Sequence, residues 1–280
     1  MPGPTDDFDA HLEEAERRVS NGFGRRIAEE LALPFLHPVF PRPVSDPVDW
    51  THYTHSLDPE TLRINNSRLE RIDLQLLRMV ADAQSRLSEQ GIPTRDRFIA
   101  NGFSASATFA NRFSAIHPEK LISVSAGGLD GTLILPIEET EIPVNWIDSA
   151  KLNYPVGTAN IEELTGDPFS LGAFCDVHQF LYLGEDDMND TLLYPDAWTE
   201  PQIRGIAVSV YGEDIHEERF PYCKTVYEDV GVSAVFRQYE GTGHDPTPAI
   251  EDVVEFHERT LAGDDIESIR ADLGGNVGEV

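Results

Sequence analysis

The stretch Phe98-Ile99-Ala100-Asn101-Gly102-Phe103-Ser104-Ala105-Ser106 decides the reading of this chain. Residues 97–101 are a strand candidate, and residues 105–117 a helix whose Phe109, Phe113 and Ile116 share one face. Between them, Gly102 to Ser106 nearly matches G-x-S-x-G, a sharp strand-to-helix turn that exposes its serine. So tight a turn needs small residues on either side of Ser104. Gly102 supplies one, and Ser106 replaces the second glycine while staying small. The turn aims Ser104 Oγ away from the sheet edge. It also places the Ala105 N–H at a helix N-terminus, where developing negative charge is favoured. The plain alternative is a serine that only caps the helix. Ser106 is the weaker rival, because it would sit too deep in the helix.

Outward from this turn the chain alternates strand and helix. Residues 121–126 read as a strand ending in Gly127-Gly128, and residues 180–183 as another. Helical segments follow at about 199–211 and 216–230, then a strand at 234–239 and a helix at 248–261. This order calls for a mostly parallel sheet with helices on both faces. Upstream, residues 67–90 are the clearest amphipathic helix, with Leu69, Ile72, Leu76, Leu77, Val80 and Ala83 in three- and four-residue steps and a stop at Gly91 and Pro93. Residues 5–31 read as helical with a break at Ser20-Asn21-Gly22, and residues 34–40 as a short strand. The pattern fails over residues 129–178, which are too long for a plain connection and predict a lid or cap. Residues 1–262 form one domain in this reading, and the acidic, glycine-containing residues 263–280 a flexible tail.

With Gly-Phe-Ser-Ala-Ser, then Phe113, His117-Pro118-Glu119 and Ala126-Gly127-Gly128, the chain resembles the α/β-hydrolase superfamily. It is similar to the dienelactone-hydrolase, esterase and prolyl-oligopeptidase-like members over roughly residues 22–261. The resemblance implies a Ser, Asp/Glu, His triad in that chain order and no metal or organic cofactor. The order can be tested on the residues. The strand at 180–183 runs into Gly184-Glu185-Asp186-Asp187, and the family commonly places its acid three positions after that glycine, at Asp187. Asp186 is the alternative acid, and a solvated acidic turn is the plain reading of the whole cluster. The strand ending at Tyr239 leads into Glu240-Gly241-Thr242-Gly243-His244, where two glycines let the backbone bring the imidazole over the sheet edge. In such a triad the histidine takes the serine proton and the acid fixes its tautomer. Of the other histidines, His117 reads as a helix end and His257 lies on the last helix, while His52 and His55 could line a pocket.

One part of the family pattern is missing. A strand normally precedes the first helix, and its loop donates a second oxyanion N–H. Here residues 22–31 resemble that helix, with only an acidic helical segment before them. Either the fold is shortened at its start or the start of the chain is missing. Backbone N–H groups near Asn21, Gly22 and Arg42 are the candidate second donors. Trp146 and Tyr154, in the lid segment, are candidate substrate-binding residues, with core packing as the plain alternative.

Composition limits the partners. Fifty acidic residues face 21 basic ones, a net charge of −29, and only Lys120, Lys151 and Lys224 are lysines. At molar salt the screening length falls to about 3 Å, and this self-repulsion is largely quenched. The balance suits a salt-filled cytoplasm and disfavours nucleic acid, since no basic patch is visible. No apolar run is long enough to span a bilayer, and the first residues lack the order of a secretory signal. Cys175 and Cys223 are too few for a disulfide framework and lack metal-site spacing. The expected function is hydrolysis of an ester or related small acyl compound. A peptidase of the prolyl-oligopeptidase type and a non-catalytic binding protein of the same fold are the alternatives.

Overall fold

Four parallel strands position everything that follows: β1 (Phe98–Phe103), β2 (Leu121–Gly127), β5 (His178–Gly184) and β6 (Ala234–Tyr239), side by side in that order. The computed structural model describes residues 7–44, 48–140, 150–194, 198–275 and 277–278. Among the described residues β1 is an edge strand, bonded to β2 alone. The register runs Gly102 to Ala126, Ala126 to Leu181 and Leu181 to Phe236, so the C-terminal ends of all four strands lie along one edge.

Alternation along the strands divides the core between the two faces. On β5, Leu181 and Leu183 join Val124 and Ala126 of β2 against α5 (Ala105–Ile116) and α9 (Phe220–Asp229). Phe180 and Tyr182 face the other way, toward Ile27 of α2 (Phe23–Glu30), Val253 and Phe256 of α10 (Ile250–Ala262), and Ile269 of α11 (Ile266–Leu273). Both faces are therefore buried, as a parallel sheet requires.

Several expectations from sequence are met closely. The N-terminal helical segment is two helices, α1 (Phe8–Asn21) and α2, broken at Gly22. Two differ. Residues 34–40 form no strand, and Pro34, Pro38, Pro41 and Pro43 explain this, since proline has no N–H to give a ladder. The tail is not uniformly flexible either. Within it α11 packs on β6, with Ile269 and Leu273 buried, because its apolar residues recur at helical spacing among the acids.

The amphipathic helix α4 (Ile72–Glu89) starts later than its pattern, because Arg71 adopts a left-handed φ of 47°. Asp73 in its first turn is fully buried, gripped by Arg71 at 2.7 Å and by His117 Nε2 at 2.8 Å. Burial alone would raise this carboxyl. The His117 and Arg71 bonds outweigh it and hold the group down at about 2.

Residues 129–178, expected as a lid or cap, place several side chains in the core. Leu133, Ile134, Leu135, Leu152, Val156 and Phe174 are buried in the main core. Tyr211 of α8 (Pro201–Tyr211) donates to Val156 O at 3.1 Å, and Tyr227 of α9 donates to Ile134 O at 3.0 Å. The segment also holds the short ladder of β3 (Glu139–Thr140) with β4 (Ala150–Lys151), and the helices α6 (Ile161–Thr165) and α7 (Leu171–Asp176).

Candidate active site

Ser104 stands between β1 and α5 with φ 58° and ψ −131°, a conformation that a side chain rarely adopts and that costs about 1–3 kcal/mol. The neighbours show what holds it there. Ser104 N donates to Gly127 O at 2.8 Å, tying the turn to the end of β2. Ser106 Oγ accepts from Phe103 N at 2.9 Å and donates to Phe103 O at 2.8 Å, so this serine staples the turn. Gly102 is obligatory, because a Cβ there would lie 2.2 Å from Ser106 O. The Ala105 N–H begins α5 beside Ser104, at the positive end of the helix dipole.

The acid and the histidine follow β5 and β6, two and three strands from β1 along the same edge. The loops after β5 and β6 are joined by backbone bonds, Glu185 N to Tyr239 O and Asp186 N to Thr242 O, both 2.9 Å. Asp187 is buried at 2% exposure and accepts from His244 Nδ1 at 2.8 Å through Oδ2, and from Asn189 N at 3.0 Å through Oδ1. Asp186 is exposed, so Asp187 is the carboxylate on the imidazole. A carboxylate on Nδ1 makes that nitrogen the donor and gives Nε2 the lone pair. Among the described residues the Asp187 contact is the imidazole's one hydrogen bond, and the side chain is 33% exposed. The His244 ring lies 4.7 Å, centroid to centroid, from that of Phe103, the residue before the serine. Gly128 fits between the two rings, since a Cβ there would be 2.7 Å from Phe103 and 3.1 Å from His244 Cε1.

A serine on a strained turn, with a carboxylate-bound histidine three strands away on one sheet edge, is the layout of a known architecture. Among solved structures, the chain is similar to LpqC, a poly(3-hydroxybutyrate) depolymerase from Bordetella parapertussis, at 16% identity and TM-score 0.50, over 90% of this chain and 78% of that one. The chain has the α/β-hydrolase fold. A carboxylesterase structure from the thaumarchaeon Nitrososphaera gargenis also matches, at 12% identity and TM-score 0.27, over 71% of this chain and 73% of that one. No protein-family model matches, and no curated protein does.

The remaining predicted residues fall elsewhere. Tyr154 is fully buried, and its hydroxyl donates to Leu57 O at 2.6 Å. Core packing and that bond account for it, rather than contact with a substrate. Trp146 lies outside the described residues. The Gly22 N–H is committed to Arg18 O at 2.7 Å, which removes it as a second oxyanion donor. His52 pairs with Asp58 at 2.6 Å, and Asp58 also accepts from Arg112 at 2.9 Å. His55 packs edge-on against Trp50, and burial pushes it down to about 4.

Two further residues that sequence reasoning missed, Arg219 and His216, order the loop around Asp187. Every N–H of the fully buried Arg219 is used: on both Asp190 oxygens at 2.8 Å, on Asp130 O at 2.9 Å, on Gly212 O at 3.3 Å, and on Glu213 O. His216 Nε2 donates to Asp187 O at 2.9 Å. Neither residue lies in a motif, so no local signal marks them. Among the described residues no cluster of His, Cys, Asp and Glu could hold a metal ion, and no helix is long and apolar enough to cross a membrane.

Proposed function

We propose that the protein is a serine-dependent hydrolase of an ester or related small acyl substrate. The observation that carries this reading is the 2.8 Å bond from buried Asp187 to His244, on the sheet edge where Ser104 holds its strained turn. In this reading Ser104 Oγ attacks the substrate carbonyl and His244 Nε2 takes the hydroxyl proton. Asp187 keeps the imidazole in the required tautomer and stabilises its charged form. The Ala105 N–H at the head of α5 holds the oxyanion. His244 then protonates the leaving alcohol, and water releases the acyl group by the same route. The chemistry needs neither metal nor organic cofactor.

The setting proposed is a salt-rich cytoplasm, on the strength of the −29 charge and the three lysines among 21 basic residues. The substrate is a small acyl compound, with nucleic acid disfavoured by the same charge.

A fluorophosphonate probe, applied in molar potassium chloride, tests the assignment. Labelling of the wild type that disappears in Ser104→Ala is the expected result. Labelling that survives the substitution overturns the choice of nucleophile. No labelling of the wild type favours a non-catalytic protein with this fold. A series of short and long acyl esters then identifies the acyl group.

A further inference from the structure

We infer that the turn Ile215–Arg219 is a positioning device for the triad acid, with His216 as its working residue; this rests on the reading of Asp187 and His244 as catalytic. The turn precedes α9 and reaches under the loop that follows β5. His216 Nε2 is 2.9 Å from Asp187 O, and a carbonyl can only accept, so the proton is on Nε2. Its Nδ1 is then an acceptor and takes a bond from Gln238 Nε2 at 3.2 Å. Gln238 belongs to β6, the strand whose following loop carries His244. The acid and the base are therefore joined twice. One link is the direct carboxylate–imidazole bond. The other runs from the Asp187 backbone through His216 to Gln238.

Three residues after His216 the same turn carries Arg219, which fastens the far end of the acid loop. It holds the Asp190 carboxylate and the Asp130 backbone carbonyl together, joining the loop after β5 to the loop after β2. Thr191 Oγ1 repeats the connection by donating to the Asp130 carboxylate. With Gly184 O accepting from Asp187 N at 3.1 Å, every polar atom of Asp187 has a partner. Rotating the carboxylate away from the imidazole breaks the Asn189 N–H bond to Oδ1, and shifting the Asp187 backbone under it breaks the His216 bond. Misplacement by about 1 Å can cost on the order of a hundredfold in rate, so the second link has a catalytic consequence although His216 touches no substrate.

The test compares His216→Phe, which keeps a ring but cannot donate, with His216→Gln, whose amide N–H can reach the same carbonyl. The readouts are kcat and KM for p-nitrophenyl acetate and the downfield proton resonance of the His244 Nδ1–H bound to Asp187. His216→Phe is expected to lower kcat by about tenfold to a hundredfold, with KM within about twofold, and to shift or broaden the downfield resonance. His216→Gln restores both. Unchanged kcat and an unchanged resonance in His216→Phe overturn the inference, as does a change confined to KM. Should His216→Phe fail to fold, Gln238→Leu, which leaves the His216 donor unsupported, decides on the same two readouts. A wild type that neither labels with fluorophosphonate nor hydrolyses the ester sinks the hydrolase reading alone, because the resonance still reports on whether His216 positions the pair.

Discussion

Among the described residues two serine–histidine constellations can be compared, and their difference shows what makes one of them a candidate site. At the sheet edge His244 has a carboxylate on Nδ1, an Nε2 without a bond among the described residues, and a side chain partly open to solvent. Inside the sheet, His257 of α10 is fully buried between two serines of β2. Its Nδ1 lies 2.8 Å from Ser123 Oγ and its Nε2 lies 3.0 Å from Ser125 Oγ. Asn101 of β1 completes that seam by donating to Ser125. Both ring nitrogens of His257 are consumed, no carboxylate among the described residues bonds it, and burial pushes the group down to about 3. The side chains are the same in the two places. A partner acid, a free nitrogen and a backbone held at positive φ separate them.

Substitution of the serines should separate the two sets most sharply. Ser104→Ala is expected to lower ester turnover by at least about a thousandfold, while Ser123→Ala and Ser125→Ala leave it within about threefold and lower the melting temperature instead. Equal losses at the two places, measured with the same ester, would erase the distinction. The acids offer the next largest contrast. Asp187→Asn should cost up to about 10⁴ in kcat by favouring the wrong tautomer, whereas the exposed neighbour change Asp186→Asn should be nearly silent. A reversal of that order would hand the role to Asp186.

The buried histidine makes its own prediction in pH. Its value in the folded protein is lowered from 6.5 to about 3, so the unfolded chain binds a proton that the folded one does not. The stabilising effect is present above pH 6.5 and is lost as pH falls toward 3, by an amount on the order of a few kcal/mol. Thermal melts of the wild type and of His257→Gln at fixed salt should show a shallower acid limb in the variant. An identical slope would mean that His257 accepts a proton without unfolding. The smallest effect expected is that of Ser106→Ala, which removes the staple on Phe103. It should cost about 1 kcal/mol in chemical denaturation and reduce kcat several-fold through a looser turn. No change in either would show that Gly102 and the Ser104–Gly127 bond hold the turn unaided.

The parts legible in the sequence are those that depend on neighbours in the chain. The strand, turn and helix around Ser104 follow from period and from small residues at fixed offsets. The order of strand ends then leads to Asp187 and His244, although these residues meet only in space. What the sequence hides is fixed by distant partners. Arg219 is an unremarkable arginine until Asp130, Asp190 and two carbonyls surround it. His117 reads as a helix end, yet its partner Asp73 lies 44 residues away in the chain. Residues 133–135 lie in a stretch whose prolines and glycines suggest a cover, but their unbroken apolar run belongs to the core. The strand expected at 34–40 had apolar content, but Pro34 and Pro38 remove N–H groups that a ladder would use.

The edge position of β1 bears on how the turn moves. Because that strand is paired through β2 alone among the described residues, its amides fall into two alternating sets. One set is locked in the ladder, and the other faces outward with no ladder partner. In deuterium the two sets should exchange at separate rates, with the outward amides going first. Ser104 therefore rides at the end of a strand whose inner side reports the global opening of the protein, and whose outer side reports only the local breathing of its own neighbourhood.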